Sequence, residues 1–151
     1  MNNDETRKHI LNVVRFVGFM VGKMMENAIS HDASKLEDPE VKLFDKYVKG
    51  LSKSDYGSKK YNRFLKALKP ALDHHYAHNR HHPEHYENGI EGMTLVDLVE
   101  MFCDWKSSTL RHENGDLMKS IEHNVKRFNI SPQLGRILKN TAEMIEKEYY
   151  E

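Results

Sequence analysis

An all-α fold of about six helices is what this sequence predicts, and two observations predict it. Apolar residues recur at intervals of three and four along most of the 151-residue chain, and no segment alternates with a period of two. Prolines, glycines and capping residues then fall where such helices would begin and end. The length suits one domain, without a linker, repeat or low-complexity tract.

The first helix is expected from Asp4 to about Ile29. Ile10, Val13, Val14, Val17, Met20, Val21, Met24 and Ala28 make one stripe, the pattern of a face that is buried. Gly18 and Gly22 lie within it, weakening the helix or letting another approach closely. After a break at 30–34, Asp38-Pro39-Glu40 opens a second helix, with Asp38 as N-cap and a stop at Gly50. Residues 51–60 read as a polar loop. A third helix starts near Lys60, with Phe64, Leu65, Leu68, Leu72 and His75 on one side, and Pro70 is expected to kink or split it. Residues 78–92 are irregular. Thr94 and Asp97 resemble a capping pair for a fourth helix, apolar almost all round from Leu95 to Trp105, hence central and buried, with Cys103 in the core. A turn at Glu113–Asp116 precedes a fifth helix over about 117–128. Ser131-Pro132 opens the last, with Leu134, Ile137, Leu138, Ala142 and Ile145 inward.

Composition narrows the function. There are 23 Lys+Arg against 23 Asp+Glu, and this zero net charge argues against a protein built to grip nucleic acid. A single cysteine excludes an internal disulfide and a cysteine-based zinc module. No apolar run approaches a membrane span, and the N-terminus does not read as a signal peptide, so no membrane role and a cytoplasmic location are expected. Ten histidines stand out.

Six of them, His74, His75, His78, His81, His82 and His85, fall within twelve residues. His74-x3-His78 matches half of a zinc-protease motif, but His75 stands where the general-base glutamate belongs, so that chemistry is rejected. The cluster is otherwise a solvated His-rich loop or a ligand set; His85, His112 and His123 read as surface. His31-Asp32, in HDASKL, offers imidazole nitrogen and carboxylate oxygen from one turn, suited to a divalent metal, or is a capping aspartate beside an exposed histidine. Asp104, in EMFCDW, lies in the most apolar helix, where an ionised carboxylate needs a cation, strong hydrogen bonds or water. His9 borders the first stripe and, alone, reads as a surface histidine. No glycine-rich phosphate loop is present.

Taken in order, His9, His31-Asp32 and Asp104 resemble the ligand series of the HD-domain superfamily of metal-dependent phosphohydrolases, which is all-helical. HDASK is similar to that superfamily's HDxxK, with Lys35 where a substrate phosphate is met. The chain is also similar to a small family of phage and bacterial proteins of unknown function, at RKHILNV, HDASKL, HHYAHNRHHPEHY and EMFCDW. The resemblance implies a divalent ion (Mn, Co, Fe, Zn or Mg) held by His9, His31, Asp32 and Asp104. It also implies that Lys35, His75 and His82 serve catalysis or substrate, and that His78, Asn79 and His81 serve a second metal or a phosphate. One metal is expected and a second is open. The implied activity is hydrolysis of a phosphate ester, with a nucleotide as the small-molecule partner and a homo-oligomer open. A di-iron oxygenase and a non-catalytic metal-binding helical protein are the alternatives.

Overall fold

The computed structural model describes residues 3–53, 58–111 and 114–149. Among them are six α-helices, three short 3-10 turns and no strand, so the fold is all-α. The helices are α1 (Asn3–Ser30), α2 (Glu40–Ser52), α3 (Lys59–His78), α4 (Leu95–Thr109), α5 (Leu117–Arg127) and α6 (Pro132–Glu148). The 3-10 turns cover Ala33–Leu36, Pro83–His85 and Gly89–Gly92. His112, Glu113 and residues 54–57 of the expected loop lie outside the described residues. The contacts gather into two compact units, Met1–Arg80 and His81–Glu151.

In the first unit α2 and α3 pack together, and the 3-10 turn at 33–36 lies against both. Ser58 caps α3 by accepting from the backbone N–H of Tyr61, 3.0 Å away. Gly50 does not stop α2. A Cβ there would sit 2.6 Å from the Phe64 ring, so the glycine serves the approach of α3 while α2 runs on to Ser52. Pro70 does not split α3. It lies on the exposed side, and the carbonyl it deprives of a partner belongs to Lys66, also exposed, where water replaces the lost bond. Leu68, Ala71 and His75 form the buried edge of α3.

The stripe of α1 departs from expectation. No residue of this helix is buried, and Ile10, Val14, Val17 and Val21 are all more than half exposed.

The second unit has the ordinary apolar core. Met101, Phe102 and Trp105 of α4 meet Leu117 and Ile121 of α5, Ile130, and Leu138 and Ala142 of α6. Gly135 lets α6 approach Val125, whose side chain would stand 3.3 Å from an added Cβ. Thr94 and Asp97 form the expected capping box of α4. This helix buries one face rather than its whole circumference: Leu95 is 69 % exposed, and Cys103 is exposed rather than in the core. Ile137, expected inward on α6, is also exposed. No helix among the described residues is long and apolar enough to cross a membrane.

Candidate metal centre

The first unit buries charge where a small domain usually buries hydrocarbon. Glu40 is fully buried and His75 nearly so. Glu40 is the first residue of α2, where the helix N-terminus favours an anion. Its two oxygens divide between neighbouring histidines of α3. Oε1 lies 2.7 Å from His74 Nδ1 and Oε2 lies 2.9 Å from His75 Nδ1. Burial alone pushes the Glu40 carboxyl up; hydrogen bonds from His74, Ser34 and His75 outweigh it and hold the group below the usual carboxylate range. An ionised carboxylate only accepts, so both Nδ1 atoms carry the proton. In a neutral imidazole the Nε2 of His75 is then a lone pair.

That nitrogen faces Asp32: it donates to the carboxylate when protonated and offers a lone pair to a cation when it is not. His75 Nε2 lies 3.3 Å from Oδ1, while His31 Nε2 lies 3.5 Å from Oδ2. Lys35 Nζ reaches the same Oδ2 at 2.5 Å. Asp32 occupies left-handed backbone space, φ 55° and ψ 14°, between α1 and the 3-10 turn. A non-glycine residue pays about 1–2 kcal/mol to stand there, although aspartate is among the better tolerated. The turn sets the Asp32 carboxylate between His31, which follows α1, and His75 of α3. Burial raises the Asp32 carboxyl, but the His75 bond and the Lys35 ammonium prevail and hold it well below its ordinary value.

Ser34 and Asn79 complete the setting. Asn79 Nδ2 donates to Ser34 Oγ at 2.7 Å and to the His75 carbonyl at 2.8 Å, closing the end of α3. The Phe44 ring meets His75 edge-on, with centroids 6.4 Å apart. His75 is therefore fixed in tautomer and direction by Glu40, as a metal-ligating histidine is fixed by a carboxylate behind it.

Two imidazole nitrogens converging on one carboxylate call for a cation or shared protons between them, since lone pairs and anionic oxygens otherwise repel. His and Asp side chains, His31, Asp32 and His75 among them, cluster so that they could hold a metal ion. Mixed nitrogen and oxygen donors suit several divalent ions.

The remaining expected residues divide. His78 is exposed; its Nδ1 donates to the His74 carbonyl at 2.7 Å and its ring stacks on His74 at 4.0 Å. His9 sits on α1, one continuous helix to Ser30, which puts it roughly 30 Å from His31 of the same chain. The structure therefore does not bring His9 to His31-Asp32. In the second unit buried His81 places Nδ1 3.0 Å from Glu100 Oε1, with the His82 ring 4.2 Å from its own. Asp104 is half-buried on α4. Tyr86, the last residue of HHYAHNRHHPEHY, donates to Asp97 at 2.9 Å. Buried Asp97 also accepts from the N–H and hydroxyl of Thr94, so Tyr86 anchors the start of α4. His85, expected at the surface, is half-buried against Tyr86, while His123 is exposed as expected.

A model described as a family of unknown function, DUF5662, matches residues 1–146. The chain belongs to DUF5662. No curated protein and no solved structure matches it. For this DUF5662 chain, sequence reasoning missed Glu40, Ser34 and Glu100. Glu40 follows a proline at a helix start, where an acid is ordinary, so its signal was masked by the helix dipole.

Proposed function

We propose that this DUF5662 chain is a metal-dependent hydrolase of a small phosphate ester, such as a nucleotide. The observation that carries the reading is the Asp32 carboxylate, met by the Nε2 atoms of His31 and His75, with Glu40 fixing the tautomer of His75. The HDxxK resemblance supports it from the sequence side.

A bound divalent ion supplies Lewis acidity to a phosphoryl oxygen and acidifies a water molecule. The side chains do the rest. Asp32 and the two imidazoles provide the donors. Lys35, whose side chain is 38 % exposed, exchanges Asp32 for the incoming phosphate and neutralises its charge. Glu40 keeps the Nδ1 proton on His75, so His75 serves as a donor atom rather than as an acid. Asn79, bonded to Ser34 and to the His75 carbonyl at the end of α3, is a further contact to substrate. His78 has no part in it.

The test is phosphate release from a panel of mononucleotides and dinucleotides with Mn²⁺ or Co²⁺. His31→Ala with Asp32→Ala abolishes release. A protein that keeps its metal and releases phosphate from none of them is a metal-binding protein without this chemistry.

A further inference from the structure

We propose that the α2–α3 hairpin is a binding surface for duplex nucleic acid, which it grips through the phosphates along a basic face and without reading sequence. This surface does not depend on the phosphate-ester chemistry proposed above. Charge is unevenly spread along the chain. Residues 42–69 carry nine Lys+Arg against two Asp, and the rest of the chain carries 14 Lys+Arg against 21 Asp+Glu. The zero net charge that argues against a nucleic-acid partner is thus a balance of unlike parts. Segregated charge of this kind is the footprint of a polyanion site.

The helices turn that excess into rows. Lys42, Lys46, Lys49 and Lys53 recur at intervals of four and three along α2 and the residue after it, which makes one stripe about 16 Å long. Lys59, Arg63 and Lys66 recur likewise on α3, with Lys60 beside them. All eight residues are exposed. Glu40 meets His74 and His75, whereas Tyr47 and Gly50 meet Phe64, so α2 and α3 run antiparallel and their basic stretches share the end away from Glu40. Lys46 Nζ lies 5.2 Å from the Tyr47 ring, Lys60 Nζ lies 6.0 Å from the Phe64 ring, and the two rings are 6.2 Å apart. Both rows therefore border one aromatic seam. Little cancels them. Lys42 is held by Asp38, but no ion pair among the described residues engages Lys46, Lys53, Lys59, Lys60, Arg63 or Lys66. Like charges three and four apart destabilise the helix that carries them, so the rows do not serve the fold.

Three features choose the ligand. The α2 stripe alone covers about three helical turns, so a mononucleotide touches one or two cations and only an extended polyanion engages them all. Among the described residues from Lys42 to Lys69, Val48 is the one large hydrophobic that is exposed. That leaves no apolar anchor for a lipid surface and no apolar centre for a protein interface. Phe44, Tyr47, Tyr61 and Phe64 are half-buried, and Lys46 and Lys60 lie over two of these rings, so the bases of a single strand find no stacking platform. A duplex keeps its bases stacked on one another and presents phosphates along its whole length.

Fluorescence anisotropy of the full chain with a labelled duplex of about 20 base pairs and arbitrary sequence tests it, with EDTA keeping metal chemistry out of the readout. Binding should weaken about 10³-fold between roughly 50 and 200 mM salt, the loss that six phosphate contacts give. Lys46→Gln, Lys53→Gln, Lys60→Gln and Arg63→Gln together should keep helicity and cut the slope of log K against log salt by about 3–4. Should the combined variant lose helicity, each single substitution, worth about 1 in slope, carries the same test. Glutamine at Lys119, Lys126, Arg136 and Lys139 of the second unit should leave the slope unchanged. Absence of binding at the lower salt overturns the proposal, as does a slope that the hairpin substitutions do not change. So does a single strand, a phosphatidylserine vesicle or polyglutamate bound as tightly as the duplex.

Discussion

Replacing Glu40 tests whether a buried carboxylate governs the site from behind. In Glu40→Ala the His74 and His75 Nδ1 protons lose their acceptor. His74 keeps a side chain that is 31 % exposed, so water replaces much of its bond; His75, at 3 %, has no such relief. The loss therefore rests mainly on His75. Leaving a buried N–H without its acceptor costs about 1–3 kcal/mol. For a chain of this length, at about 2–4 °C per kcal/mol, the melting temperature should fall by roughly 2–12 °C. Glu40→Gln preserves the shape and spares one acceptor oxygen, but turns an NH2 towards the other imidazole. It forfeits about 1.5–3 kcal/mol, the worth of one hydrogen bond to a charged group. With the tautomer of His75 no longer fixed, cobalt affinity should drop about 10–100-fold. Thermal unfolding and calorimetric titration with Co²⁺ measure the two effects. A Glu40→Gln protein that melts with the wild type and binds cobalt equally well would refute the idea that Glu40 orients a ligand.

Other perturbations separate chemistry from scaffold. Asp32→Gly and Asp32→Ala should both lose metal uptake and phosphate release, but the glycine variant, at ease at φ 55°, should be the more stable by about 1 kcal/mol in urea denaturation; equal stability would mean the turn carries no strain. Tyr86→Phe takes one donor from buried Asp97 and should cost about 1–3 kcal/mol of stability with cobalt affinity unchanged; loss of metal at full stability would move Tyr86 into the site. Stability should also fall in acid. Asp32 and Glu40 titrate lower folded than unfolded, so the unfolded chain takes up protons first. Their contribution is complete above their ordinary values, 3.8 and 4.5, and drains away as pH falls below them. Glu40→Gln should flatten that slope in a pH series of denaturant melts, and an unchanged slope would count against its ionisation.

Most helix limits were legible because they are written in local chemistry. Thr94 and Ser131, read as openers, each cap the helix that follows. The errors came where tertiary contact decides. Gly50 looks like a stop, yet its missing side chain makes room for Phe64. Pro70 looks like a break, yet solvent on its side of α3 absorbs the lost bond. Periodicity announces an apolar face without saying what covers it. The stripe of α1 was therefore legible as a stripe but not as an exposed one.

The site was half legible for a related reason. His31, Asp32 and Lys35 are adjacent in sequence, and one turn brings their side chains together. His75 joins them only because Glu40, 35 residues earlier, holds one of its nitrogens and leaves the other facing Asp32. A histidine count cannot choose among His74, His75 and His78, which share one helix; burial and the carboxylate behind them can. His78 is exposed and bonded to its own backbone, and His74 spends its Nδ1 on Glu40 at the rim. His75 alone of the three is buried with a committed Nδ1 and an Nε2 facing an anion. The distinction therefore lies in α2, at a residue whose sequence context marks it only as the acidic start of a helix.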